Sequence, residues 1–260
     1  MKGVILAGGL GTRLHPLTLV TNKHLLAVYD RPMIYYPIES LVNAGLREIL
    51  IVTGGEHAGD FLKLLRNGKH LGVKDLHYTY QQGEGGIADA LSLAEEFADG
   101  DKACVVLGDN LIQKHLRKAV GEFFTQPHGA KILLKEVPDP ERFGVPRFEN
   151  GRIVEILEKP EDPPSNYAVT GIYMYDNAVF DLCRNLEPSE RGELEITDVN
   201  NMYLKRGDLT YSILEGWWTD AGTFESLHRA SCLVREGGAN VIDDQPLESI
   251  IPARHNEPAK

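Results

Sequence analysis

Three features of this 260-residue chain predict a Rossmann-like, doubly wound α/β fold with a mostly parallel sheet. Short apolar runs alternate with stretches of helical period up to about residue 130, the pattern of β-α-β repetition. Those runs lack polar alternation, as strands buried on both faces require. Beyond about residue 130 the runs crowd together with turn residues between them, so an antiparallel portion is expected there.

Residues 3–7 read as the first buried strand. Asp30-Arg31-Pro32 is a turn, after which Ile34, Ile38, Leu41 and Val42 mark one face of a helix that Gly45 stops. Residues 48–53 read as a buried strand ending in Gly54-Gly55, a helix passes through Phe61, Leu62 and Leu65, and a strand covers 76–81. Residues 86–97 read as one helix, and 103–107 as an apolar strand ending at Gly108-Asp109-Asn110. The crowded strands are 131–137, 145–149, 153–158 and 168–175, with the hairpin signal Asn150-Gly151 between two of them. Helices are predicted over 177–184 and 195–205, an apolar run covers 209–214, and one helix follows Ser226. No repeat, low-complexity segment or long linker divides the chain, so a single domain over 1–236 and a tail over 237–260 are expected.

The chain carries 27 basic and 38 acidic side chains, a net charge of −11. A protein that neutralises nucleic-acid phosphates leans the other way, so no nucleic-acid partner is expected. A pocket for small phosphates needs only a few cations. Cys104, Cys183 and Cys232 are far apart and form no paired framework, which fits a reducing compartment. Neither a signal-peptide pattern nor an apolar run long enough to cross a membrane is present, so the expectation is a cytoplasmic protein without a membrane partner.

In an open parallel sheet, ligands bind beyond the carboxyl ends of the strands. The loop after the first strand is Gly8-Gly9-Leu10-Gly11-Thr12-Arg13. Its glycines let backbone N–H groups approach an anion, and Arg13 adds a forked cation. A plain tight turn is the alternative. The dinucleotide fingerprint fails, because Leu14 holds the third glycine position and Pro16 interrupts the helix that should follow. Lys23 lies soon after this turn, where it either faces the same anion or is a solvated charge. Asp109 directly follows a buried strand, as a carboxylate for Mg²⁺ or as a helix cap. Trp217-Trp218-Thr219-Asp220 follows another apolar run, as a wall beside an acid or as core packing with Thr223 capping a helix. Glu158-Lys159-Pro160 and Arg191-Gly192-Glu193-Leu194-Glu195 are site candidates or surface ion pairs. The scattered histidines do not have zinc-ligand spacing, and no Gly-x-Ser-x-Gly elbow is present.

Together these segments resemble the sugar-nucleotide pyrophosphorylases, and among them the glucose-1-phosphate thymidylyltransferase branch. The resemblance runs from Lys2 to about Ser226. It includes the glycine loop, Arg31-Pro32-Met33-Ile34-Tyr35-Tyr36-Pro37, Leu107-Gly108-Asp109-Asn110 and Asp139-Pro140-Glu141-Arg142-Phe143-Gly144-Val145. Ser165-Asn166-Tyr167-Ala168-Val169-Thr170-Gly171 and Arg191-Gly192-Glu193-Leu194-Glu195-Ile196-Thr197-Asp198 make it specific.

The resemblance implies the nucleotide-diphospho-sugar transferase fold, with a nucleotide part over about 1–130 and a sugar-phosphate part over about 131–222. It implies that dTTP and glucose 1-phosphate give dTDP-glucose and pyrophosphate with Mg²⁺. By position, Gly8, Gly9, Gly11 and Thr12 hold the nucleotide, Gln81 and Gly86 read its base, and Arg13 and Lys23 neutralise its phosphates. Asp109 and Asp220 are the implied metal ligands. Asn110, Gly144, Glu158 and Val169 line the sugar pocket, Lys159 and Arg191 grip the sugar phosphate, and Trp218 flanks it. A homo-oligomer is compatible with the resemblance. The nucleophile is already an anion at neutral pH, so repulsion and in-line geometry are the obstacles.

The chain departs from the pattern at His24 (usually glutamine), Ala27 (usually proline), Gln82-Gly83-Glu84-Gly85 and Ala221 (usually threonine), which bears on base preference. A UTP-using or other-sugar enzyme and a non-catalytic sugar-nucleotide sensor are the alternatives.

Overall fold

A computed structural model of the chain describes residues 1–242. The part of the predicted tail beyond 242 lies outside the described residues. β1 (Lys2–Ala7) leads through the glycine loop and three short 3-10 turns to β2 (Ala27–Val28) and β3 (Arg31–Pro32). Then come α1 (Tyr35–Asn43), β4 (Glu48–Gly54), α2 (Ala58–Leu65), β5 (Asp75–Gln81), α3 (Ile87–Ser92) and α4 (Glu95–Ala98). β6 (Ala103–Leu107), β7 (Asn110–Ile112), α5 (Arg117–Thr125) and β8 (Ala130–Glu136) follow. β9 (Gly144–Glu149), β10 (Arg152–Glu158), β11 (Tyr167–Tyr175), α6 (Val179–Arg184) and α7 (Ile196–Arg206) lead to β12 (Leu209–Ile213), β13 (Trp218–Asp220) and α8 (Phe224–Gly237).

Alternate residues of β1 enter two different cores, which explains why its sequence is apolar throughout. Val4 and Leu6 join Leu50, Val52 and Val105 on the face covered by Leu91, Phe180, Val199 and Tyr203 of α3, α6 and α7. Ile5 and Ala7 join Ile49, Ile51 and Val106 on the face covered by Ile38, Phe61 and Phe123 of α1, α2 and α5. Each large side chain so buried contributes roughly 1.5–3 kcal/mol. A smaller cluster of Val28, Met33, Tyr36, Leu111, Ala221 and Ala230 docks α8 beside the sheet. Thr223 and Ser226 form the capping box that starts α8.

The principal sheet has nine strands. β5, β4, β1 and β6 lie side by side and parallel, so the strand order reverses between β1 and β6. The loops after those two strands therefore flank one crevice. β11 runs antiparallel to β6 and carries the sheet on to β8 and β9, and β12 joins β8 in parallel. Its register against β8 shifts between Val169 and Tyr173. There the Gly171 N–H leaves the ladder and donates to Asn110 Oδ1 at 2.9 Å.

The helix predicted over 86–97 is two short helices. The Ser92 hydroxyl turns back onto the Asp89 carbonyl at 2.7 Å, and the Ala94 N–H closes a tight turn on Leu91 O at 2.9 Å. Ala94 and Ala98 stay buried across the break, so the apolar period does not register it. The segments after β6 and before α8, read as loops, pair as β7 and β13 with Asp220 opposite Asn110. No sequence signal was read for α5. Among the described residues, no helix is long and apolar enough to cross a membrane.

Candidate active site

The crevice at the strand reversal collects the loop residues singled out above. Gly11 has φ 69°, a left-handed conformation that glycine adopts without strain. A Cβ there would stand 2.9 Å from Lys23 Cβ, and one on Gly9 3.8 Å from Lys23 Cε. The bare loop thus lets the Lys23 stem cross it, and Lys23 Nζ reaches Asp109 Oδ2 at 2.5 Å.

Asp109 and Asp220 converge because β7 and β13 pair directly beside them. The Ala221 N–H donates to Asp109 O at 2.8 Å. The position a Gly222 Cβ would take lies 3.1 Å from Arg13 Nη2, 3.3 Å from Asp220 Oδ2 and 3.6 Å from Asp109 Oδ2. Two carboxylates and a guanidinium therefore face one point. Arg142 Nη2 holds Asp220 Oδ2 at 3.1 Å, while its Nη1 bonds Asp139 Oδ2 at 2.6 Å. Burial works against charge on Asp109, but the Lys23 ammonium and the Asn110 amide outweigh it and hold the carboxyl well below its usual range. Burial and then the Asp109 charge push Asp220 upward, and Arg142 only partly offsets them.

This pair of hard oxygen donors suits Mg²⁺, which commonly takes one or two carboxylates and completes its shell with substrate oxygens and water. Among the described residues, no group of three or more His, Cys, Asp or Glu could hold a metal ion by itself.

His24 forms part of the floor. Its Nδ1 meets Asn22 Oδ1 at 2.7 Å, and its ring occupies the place a Gly108 side chain would take. Burial and the neighbouring Lys23 charge push its pKa down to about 3, so the ring is neutral near pH 7.

On the antiparallel side, Asn110 organises the wall. Its Oδ1 accepts from Gly171 N and from Trp218 Nε1 at 2.7 Å, and its Nδ2 donates to Asp109 Oδ1 at 3.0 Å. Trp218 packs edge-on against Phe143 with ring centroids 5.1 Å apart. Glu158 Oε2 accepts from Thr197 Oγ1 at 2.6 Å, and its Oε1 lies 3.4 Å from both Lys159 Nζ and Arg191 Nη2. Lys159 has φ 44°, an uncommon conformation for a residue with a side chain, and its N–H donates to Phe143 O at 2.9 Å.

On the parallel side, a cavity of about 320 Å³ is lined by Gly8, Gly9, Arg13, Lys23, Gln81, Gly86, Asp109, Lys159 and Arg191. A second, of about 220 Å³, shares Arg13, Asp109 and Lys159 and adds Asn110, Gly144, Glu158, Val169, Trp218 and Asp220. Gly11 and Thr12 line the outer mouth. Every residue named for the site from sequence thus borders one of three adjoining hollows. The two sides are clipped together at Leu194, whose N–H donates to Gly85 O at 2.8 Å and whose carbonyl accepts from Ala88 N at 3.1 Å.

The sequence reading assigned no role to Arg142 or Thr197 at this site, and named His24 only as a departure from the pattern. Arg142 was legible in principle, because Asp139-Pro140-Glu141-Arg142 ends one residue before Phe143-Gly144 of the cavity wall.

The family model for nucleotidyl transferases matches residues 2–237. Glucose-1-phosphate thymidylyltransferase of Neisseria meningitidis serogroup A is 47% identical over 239 residues, covering 90% of this chain and 83% of the relative. The Mycobacterium tuberculosis enzyme of the same name is 42% identical over 238 residues, covering 90% and 82%. A crystal structure from Bacillus anthracis, assigned as a glucose-1-phosphate thymidylyltransferase and solved with a sucrose, superposes with a TM-score of 0.87 at 52% identity, covering 96% of this chain and 99% of that one. A UDP-glucose pyrophosphorylase complexed with UDP-glucose gives a TM-score of 0.78 at 26% identity, covering 90% and 98%.

Proposed function

The chain belongs to the nucleotidyl transferase family, and on that premise we propose that it is a glucose-1-phosphate thymidylyltransferase, converting dTTP and glucose 1-phosphate to dTDP-glucose and pyrophosphate. The observation that carries the reading is the meeting of Asp109, Asp220 and Arg13 at one point between the two hollows.

In this mechanism dTTP lies on the parallel side, with its triphosphate along Gly8–Thr12 and its base toward Gln81 and Gly86. Glucose 1-phosphate lies on the antiparallel side, with Glu158, Asn110 and Val169 around the sugar and Lys159 and Arg191 on its phosphate. A phosphate oxygen of the sugar attacks the α-phosphorus in line. The bond to the β-phosphate bridging oxygen breaks, and pyrophosphate leaves. No general base is required, because the attacking oxygen is already deprotonated. The protein's work is to hold two anions in line and offset their repulsion. Arg13 and Lys23 neutralise the triphosphate, Lys23 exchanging its Asp109 partner for phosphate. Asp109 and Asp220 would hold Mg²⁺, which supplies charge neutralisation at the phosphates. Trp218 and Phe143 shield the reacting centre from water. The unpaired cysteines support a cytoplasmic enzyme, and the net charge of −11 with the cation-lined hollows supports small anionic substrates rather than nucleic acid.

Pyrophosphate release with Mg²⁺ and glucose 1-phosphate, compared across dTTP, UTP, CTP, ATP and GTP, tests the reading. Release mainly with dTTP is expected. Equal release with UTP would replace the thymidylyl assignment with a broader pyrimidine one, and no release with any nucleotide would overturn it.

A further inference from the structure

The base-side end of the 320 Å³ cavity is lined by Gln81, which is buried at 5% exposure. Its Nε2 donates to Asp89 Oδ2 at 2.7 Å and to Gly86 O at 3.2 Å. A carboxylate and a peptide carbonyl only accept hydrogen bonds, so both N–H bonds of the Gln81 amide are committed. Turning the amide over would set its oxygen against two acceptors and leave a buried clash of like dipoles. Oε1 is therefore the atom left for a ligand. It lies toward Gly8, 2.6 Å from the position a Gly8 Cβ would take, and Gly8 lines the same cavity.

Asp89 does not line the cavity. Its carboxylate occupies the space a side chain on Gly85 would need: a Cβ there would stand 2.5 Å from Asp89 Oδ2. The loop over Gln82-Gly83-Glu84-Gly85 is thus shaped to admit this carboxylate beside Gln81.

We propose that Asp89 is a positioning residue for base selection. By fixing the Gln81 amide it makes the cavity wall a hydrogen-bond acceptor, which selects a pyrimidine whose ring N3 carries a proton, thymine or uracil. Cytosine presents an acceptor at N3 and is rejected by acceptor–acceptor repulsion. The inference rests on the reading of the cavity as the nucleoside triphosphate site and names the group that sets its hydrogen-bond polarity. Asp89 is also the third residue of α3, where a carboxylate favours the helix N-terminus. That contribution acts alike on every nucleotide and cannot alter a ratio between two bases.

The test is kcat/KM for dTTP and for dCTP in the wild-type protein, Asp89→Ala and Asp89→Asn, with Mg²⁺ and saturating glucose 1-phosphate. In Asp89→Ala the amide is held by Gly86 O alone, and the preference for dTTP over dCTP is expected to fall by about tenfold or more, mainly through KM. Asp89→Asn keeps an accepting oxygen and is expected to retain the ratio within about threefold. A wild-type ratio in Asp89→Ala, or an equal fall in both variants, overturns the proposal. Should the alanine variant fail to fold, Asp89→Leu, close to aspartate in shape but without an accepting atom, takes its place. The same fall in the dTTP over dCTP preference is expected of it, and a wild-type ratio overturns the proposal. Failure of the wild type to use dTTP at all would overturn the functional reading instead and is distinguishable from either result.

Discussion

His24 contributes to the acid sensitivity of the protein through a single buried ring. The unfolded ring titrates near 6.5 and the folded ring near 3. As pH falls through that window the unfolded chain takes up a proton that the folded chain refuses. The stabilisation is complete above about 6.5 and is lost progressively toward 3, a loss on the order of a few kcal/mol. His24→Gln removes the titration, so its melting temperature is expected to fall less between about pH 7 and pH 4 than that of the wild type. Equal falls would refute the assignment. Asp220 gives a second prediction at this scale. Asp220→Asn relieves the repulsion from Asp109 but replaces one of the two carboxylates proposed to hold Mg²⁺ with a neutral amide, so turnover is expected to drop by about 10²–10³. In the presence of dTTP, Mg²⁺ is expected to raise the melting temperature of the wild type and not that of this variant. Wild-type turnover in Asp220→Asn would displace this residue from the metal site. Arg142, which bridges Asp139 and Asp220, escaped the sequence reading because an arginine beside an aspartate in a turn reads equally well as a surface pair. Only the fold brings Asp220 to it from 78 residues away.

At the scale of elements, the short antiparallel pair β7 and β13 sets the distance between the two carboxylates, and α8 packs against it from outside. Neither strand was legible, since three-residue strands carry too few residues for an alternation to register. The long apolar strands were legible because burial on both faces leaves no polar position in them. α3 shows what a small change at an element's end would do. Gly86 precedes it at φ 95°, and a Cβ there would stand 2.6 Å from Leu194 O and 2.8 Å from Leu194 N. Gly86→Ala is therefore expected to destabilise the protein by roughly 1–3 kcal/mol and to raise KM for dTTP. Thermal melts and initial rates check both, and an unaltered KM would show that the turn yields without disturbing the base-side wall.

For the whole molecule, the parallel and antiparallel parts share one sheet through the four-residue pairing of β11 with β6. A cut near residue 130 would bare the β6 edge and uncover the buried ring of Tyr173. Fragment 1–130 is expected not to fold alone, and the full chain to unfold in a single transition. Two resolved calorimetric transitions would contradict this. The sequence announced the change of texture near residue 130 through its turn spacing. It could not announce that the sheet continues across it, because β11 meets β6 across more than sixty intervening residues and pairing at that range leaves no local period.

The two hydrogen bonds at Leu194 carry a further consequence. They fasten the base-side turn to the segment that bears Arg191, so neither can open to solvent without loosening the other. The amide protons of Leu194 and Ala88 should therefore trade for deuterium in step. Their exchange should slow when either substrate is added singly, since a coupling felt in one direction is felt equally in the other.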